Sequence, residues 1–253
     1  MWRPDRHIRR NSSGLTLIEI LVVAVIFSVL VTALFTVFRG GLDSWRKAET
    51  ILDMYQNARF ALDMMEREIS SAYLYQGSGN TAYWTKFEGY LSGTGLKTGS
   101  VGDEIFFAAP IAGNLGKQDL CEVGYWLRND NRLMRHYEYF DGSVIPVVYD
   151  FSKKSDGSVD TGASDTAIAS NVTALQFTYR YRNTAGVAPA TTATSWNSGL
   201  DALTGATENY DSSGNKLIPD GLPDAVAISI TIQNRDGSQT RTFTDFIRIA
   251  GAK

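Results

Sequence analysis

The sequence predicts an α+β protein, in which one long N-terminal helix packs on an antiparallel β-sheet. The first half of that helix would span a membrane and the second half would be amphipathic. Three observations predict this. The run from Leu15 to Phe38 is apolar and holds a single charge, Glu19. A stripe of apolar residues at helical spacing follows, from Ala48 to Ala72. Beyond it, runs of alternating apolar and polar residues recur between turn signals. One helix followed by strands is the α+β order.

The chain has 253 residues, 43% of them hydrophobic. Beyond the N-terminal run roughly 210 residues remain, enough for one sizeable core. The net charge is −3. Arg3, Arg6, Arg9 and Arg10 against Asp5 give the first fourteen residues +3, which leaves −6 on the rest. No basic patch tracks phosphates, so no nucleic-acid partner is expected. The single cysteine, Cys121, allows no internal disulfide and no cysteine-built metal site. Within "LCEVGYWL" it reads as a small buried strand residue.

As a helix, Leu15 to Phe38 is about 36 Å long, against a hydrocarbon core of about 30 Å. The four arginines precede it, so its N-terminus would stay in the cytoplasm and the remainder would lie across the membrane. Val31 to Ala33 resembles a secretory cleavage site, but the apolar run continues beyond it and is longer than a signal-peptide core. A plain anchor leaves Glu19 unexplained. A carboxylate in a spanning helix is unfavourable by about 2.5–3.5 kcal/mol at the centre and ordinarily has a partner.

Gly40-Gly41 predicts a soft joint where the span ends. Ala48, Ile51, Tyr55, Ala58, Leu62, Met65, Ile69 and Ala72 then step by threes and fours, the spacing of one helix face. Arg46, Lys47, Glu49, Asp53, Arg59, Asp63, Glu66, Arg67 and Glu68 fall on the other faces and read as solvated charge. "DEIFFAAP" predicts a buried strand stopped by Pro110. "CEVGYWLRNDNRLMRHYEYF" predicts a hairpin about Asn129-Asp130-Asn131. "VTALQFTYRYR" places Leu175, Phe177, Tyr179 and Tyr181 on one strand face, and Val226, Ile228, Ile230 and Ile232 share another before a turn at Asp236-Gly237. Lys153 to Ser170 and Thr184 to Gly221 are polar and read as surface excursions.

Gly14-Leu15-Thr16-Leu17-Ile18-Glu19, between a basic leader and an apolar helix, resembles the signal of type IV pilins and type II secretion pseudopilins. The resemblance implies a leader of residues 1–14, cleavage by a prepilin peptidase between Gly14 and Leu15, and N-methylation of Leu15. It departs at Leu15, where phenylalanine or methionine is commoner. It implies an assembly role for Glu19, which would meet the N-terminal amine of a neighbouring subunit. It also implies a transmembrane helix half at 15–39 and an extracytoplasmic domain at 42–253. That domain would hold an amphipathic helix at 45–75, packing through Ile51, Tyr55, Leu62, Met65 and Ile69, and a β-rich region at 81–253. Expected partners are other minor and major pseudopilins or pilins, the inner-membrane assembly platform and the membrane itself. Within the superfamily, "MMEREISSA", "GYWLRNDNRLMRHY" and "LPDAVAISITI" resemble the J-type minor pseudopilin, with a departure at Asp224. A minor pilin of a type IV pilus is the close alternative.

No nucleophile elbow, phosphate-binding loop or dinucleotide fingerprint occurs, so no enzyme activity is expected. His7 and His136 cannot build a histidine cluster, and His136 reads as a strand-surface residue. Asp103 and Glu104 are adjacent in a strand and would point to opposite faces. "NYDSSGNKLIPDGLPD" gathers Asp211, Ser213, Asn215, Asp220 and Asp224, oxygen donors of the kind calcium takes. It fails the EF-hand template, and its plain reading is a turn rich in residues that bond their own backbone. Calcium at Asp211, Asn215 and Asp220 is the one cofactor the sequence suggests.

Overall fold

The computed structural model describes residues 16–74, 87–112, 118–139, 151, 165–181, 191–198 and 221–250. The chain divides into two units, 1–49 and 50–253. One element runs through both: helix α1, Leu17–Ser70, 54 residues. The expected joint is absent, because Gly40 and Gly41 lie inside this unbroken helix. Each glycine costs about 1 kcal/mol relative to alanine, too little to stop a helix that good formers propagate on both sides.

In the first unit the helix surface is apolar and exposed from Leu17 to Phe38. Its few hydroxyls turn inward on the backbone. Ser28 Oγ donates to the Ala24 carbonyl at 2.8 Å, Thr32 to Ser28 at 2.8 Å and Thr36 to Thr32 at 2.9 Å. A four-residue step puts all three on one stripe, each bonded back to its own helix. This is the segment long and apolar enough to cross a membrane.

The second unit holds two antiparallel sheets in place of the expected single one. The first contains β1 (Phe87–Tyr90), β2 (Glu104–Ala112), β3 (Gln118–Arg128), β4 (Arg132–Tyr139), β5 (Thr166–Ser170) and β8 (Trp196–Asn197), in the order β5-β4-β3-β2-β1-β8. The second contains β6 (Val172–Tyr181), β7 (Thr191–Ala193), β9 (Ala225–Gln233) and β10 (Thr240–Arg248), in the order β10-β9-β6-β7. The chain changes sheet at Asn171, whose φ of 59° is a left-handed turn that asparagine tolerates. That one residue separates β5 from β6, which the chain would otherwise run through as one strand.

The β3–β4 hairpin turns at residues 129–131, with Asn131 at φ 62°. β2 does not stop at Pro110 but continues to Ala112, paired with β3. Among the described residues β1 pairs with β2 only as far as Phe107, so Pro110 lies beyond that pairing, where its missing N–H breaks no β1–β2 bond. β5, β7 and β8 fall inside segments expected to be surface excursions. All three are short, and their alternation is too brief to register as a pattern.

The core lies between the inner faces of both sheets and the last turns of α1. Met54, Ala58, Ala61, Met65 and Ile69 pack with Ile105, Phe107, Val123, Tyr125 and Leu133 of the first sheet. Leu175, Phe177, Tyr179, Val226, Ile228 and Ile230 close it from the second. Phe87 links the two sheets, stacked on Phe107 at 5.8 Å and edge-on to Tyr179 at 6.1 Å.

Candidate functional site

The start of α1 is a capping box. The Glu19 carboxylate accepts the Thr16 backbone N–H at 3.1 Å and the Thr16 hydroxyl at 3.2 Å, while the Glu19 N–H reaches Thr16 Oγ1 at 3.4 Å. Thr16-Leu17-Ile18-Glu19 has the spacing this motif needs. Its negative charge also suits a helix N-terminus. The carboxylate thus has a local partner that the sequence reading did not assign. Gly14 and Leu15 lie outside the described residues.

Farther along α1 and just past its end, the buried line is Met54, Ala58, Ala61, Met65, Ile69 and Ala72. Ala58, Met65, Ile69 and Ala72 of the expected stripe are on it. Leu62 is partly buried beside it, Ile51 lies at its margin, and Tyr55 is 49% exposed. The line runs one residue back from the expected stripe at two positions, because Ala58 and Ala61 let the helix backbone approach the sheet. The bulkier Tyr55 and Leu62 flank the contact, and the Tyr55 ring meets Phe243 edge-on at 5.1 Å.

Glu68, expected among solvated charges, is 8% exposed. It accepts a two-point contact from Arg135 of β4, Nη2 to Oε1 at 2.6 Å and Nε to Oε2 at 3.0 Å. The Tyr125 hydroxyl also donates to Glu68 Oε2. Burial and the Glu68 charge together push the Tyr125 hydroxyl far above its ordinary range, so it stays a donor. Burial opposes the charge of Arg135, but Glu68 outweighs it and raises that guanidinium.

A second polar cluster occupies the opposite face of the first sheet. Asp103 and Glu104 do diverge: Asp103 accepts the Ser92 and Phe177 N–H groups, and Glu104 accepts those of Leu96 and Lys97. His136 is buried, not at the surface. Its Nδ1 lies 2.8 Å from Asp165 Oδ1, and its Nε2 lies 3.5 Å from Glu122 Oε1. Asp165 also accepts the Trp126 indole N–H at 2.7 Å and lies 3.6 Å from the Lys97 ammonium. Burial works against a charged imidazole, yet Asp165 and Glu122 raise His136 to about 9. Burial raises Glu122 to about 7, with His136 acting the other way. Burial would also raise Asp165, but the bond to His136 and the Lys97 charge hold it below the ordinary carboxylate range. The sequence did carry a signal for this cluster. Glu122 and Gly124 on β3 face Glu138 and His136 on β4, so a carboxylate, an imidazole and a second carboxylate share one face of a hairpin. The loop residues Asp211, Asn215 and Asp220 lie outside the described residues.

Residues 9–35 match the prokaryotic N-terminal methylation motif. The chain therefore carries the type IV pilin and pseudopilin signal, on an α+β, pilin-like arrangement of one long helix against antiparallel sheets. That signal implies processing by a prepilin peptidase, anchoring in a membrane and assembly into a pilus-like filament. No curated protein matches the chain.

Proposed function

We propose that this chain is a minor pseudopilin of a type II protein secretion system, a structural subunit near the tip of the periplasmic pseudopilus. In this role it helps start assembly and promotes export of folded proteins, and it has no catalysis of its own. The observation that carries this reading is the methylation motif at 9–35 leading into a 54-residue helix whose last turns are built into a β-rich core. The helix end at 64–72, the β3–β4 hairpin and the Leu222-Pro223 approach to β9 favour the J-type within the family. The arginine-rich side of the span would be cytoplasmic and the β-rich unit periplasmic. The same motif and arrangement also serve minor pilins of type IV pili, which is the second reading.

Two measurements test the proposal. The intact mass of the protein from membranes should correspond to a chain beginning at Leu15 and carrying one methyl group. A chain beginning at Met1 overturns both readings. Deletion should abolish export of folded substrates while leaving surface piliation intact. Loss of piliation with normal export selects the pilus instead.

A further inference from the structure

The cluster on the outer face of the first sheet holds a donor set that the subunit role does not use. His136 and Glu138 are two apart on β4 and so share a face, and Glu122 on β3 is the cross-strand partner of Glu138. One imidazole nitrogen and one carboxylate oxygen from each glutamate lie within 4.8 Å of one another. Glu122 is 6% exposed, and among the described residues its Oε1 has no hydrogen-bond partner at ordinary length, the nearest donor being His136 Nε2 at 3.5 Å. Leaving a buried carboxylate oxygen in this state is costly, and native structures ordinarily give it a partner.

The geometry points to a site for a divalent transition-metal ion, with zinc as the best-matched ion, held by His136 Nε2, Glu122 and Glu138. Two ligands each about 2.1 Å from a tetrahedral zinc stand about 3.4 Å apart. Nε2 of His136 and Oε1 of Glu122 are 3.5 Å apart. The other ring nitrogen is oriented as metal-binding histidines require. Asp165 Oδ1 lies 2.8 Å from Nδ1, closer than the Lys97 ammonium at 3.3 Å, so the carboxylate takes the Nδ1 hydrogen and leaves Nε2 as the coordinating atom. Asp165 is held in turn by Trp126 and Lys97. Two carboxylates balance the charge of the ion, which would displace the proton from His136 Nε2, and imidazole with carboxylate suits zinc better than calcium. Three protein ligands leave one coordination position for water. Gly124 is part of the design: a Cβ there would stand 2.3 Å from the Phe106 ring that packs beneath the site. The ion would cross-link β3 to β4 in a domain that has no disulfide to do so.

The test uses the full mature chain in detergent, stripped with a chelator and titrated with zinc. One zinc per chain should bind and raise Tm by roughly 5–10 °C at zinc about 100-fold above Kd. Cobalt in place of zinc should give the visible absorption of a tetrahedral site. Glu138→Gln, at a partly exposed position, should keep the metal-free Tm and lose both the zinc-dependent rise and the cobalt spectrum. His136→Gln should lose the cobalt spectrum too. Absence of zinc binding overturns the site, leaving a proton between His136 and Glu122 in its place. Zinc binding that survives Glu138→Gln and His136→Gln unchanged overturns it equally, as adventitious surface binding.

Discussion

Glu68 on α1 and Arg135 on β4 meet in a two-point ion pair at 2.6 and 3.0 Å, across 67 residues of sequence. The contact fixes both the rotation and the height of the helix on the sheet, because a fork-shaped guanidinium fits a carboxylate in one geometry. Tyr125 adds a third donor to the same carboxylate.

Removing one partner should therefore be worse than removing both. Glu68→Ala leaves a guanidinium and a hydroxyl facing a cavity and should cost about 3–5 kcal/mol. The double change Glu68→Leu with Arg135→Met replaces the pair by apolar groups and should cost less than the single change. Urea unfolding of the detergent-solubilised chain measures both. A double variant less stable than Glu68→Ala would mean that the pair contributes net stability of its own.

The helix also depends on two small residues. Ala58 and Ala61 are 1% and 0% exposed where α1 touches the sheets. Ala61→Leu should cost about 1–3 kcal/mol by forcing the helix off its seat. Leu52→Ser, on the exposed side, should stay within about 0.5 kcal/mol of wild type. The larger Tyr55→Ala change should lose only an edge-on ring contact with Phe243, about 0.5–1.5 kcal/mol. Tm differences among the three variants rank them directly.

These two contacts mark what the sequence discloses and what it hides. Period-two alternation places Leu175, Phe177, Val226 and Ile228 in the core, because one strand face must be dry. Helical spacing finds Met65 and Ile69, but it cannot choose between two lines of residues that differ by one position at 54/55 and 61/62. That choice is made by how closely the backbone can approach the sheet, which is a property of the sheet. Glu68 carries the same difficulty further. A charge on a helix reads as solvated until its partner is known, and Arg135 is not a local neighbour. At the helix start, Glu19 stands out because it is the only charge in an apolar run. The outer-face cluster is half legible: the β3–β4 register follows from the hairpin, whereas Asp165 and Lys97 reach His136 from distant segments.

Glu104 supplies a dependence on pH. Its carboxyl is 1% exposed, and it accepts the Leu96 N–H at 2.7 Å and the Lys97 N–H at 3.2 Å. Burial nonetheless raises its pKa above 4.5, outweighing those bonds. An acid whose pKa is raised by folding holds its proton more tightly in the folded state. Its contribution is full below about pH 4.5 and is lost as pH rises through the raised value. Glu104→Gln does not titrate. The unfolding free energy of wild type relative to Glu104→Gln should therefore fall as the pH rises above the ordinary carboxylate range. A constant or rising difference would show that the backbone bonds dominate over burial.

Glu19 has two separable roles, and glutamine distinguishes them. Within the chain its carboxylate closes a capping box with Thr16. In the proposed subunit role it also meets the amine of an adjacent subunit. Glutamine keeps the cap, since a Thr-x-x-Gln box still accepts the Thr16 N–H, but it carries no charge. Leucine removes both. Neither change should impair membrane insertion, because each lowers the polarity of the span. If charge pairing sets the stacking register, incorporation into sheared filaments should fall about tenfold or more for Glu19→Gln and Glu19→Leu alike, because an amine left alone in low dielectric is strongly unfavourable. If the carboxylate serves only its own helix, Glu19→Gln should assemble like wild type and Glu19→Leu should lose about 0.5–2 kcal/mol of helix stability. The fraction of chain recovered in filaments, measured for both variants at equal membrane abundance, decides between them.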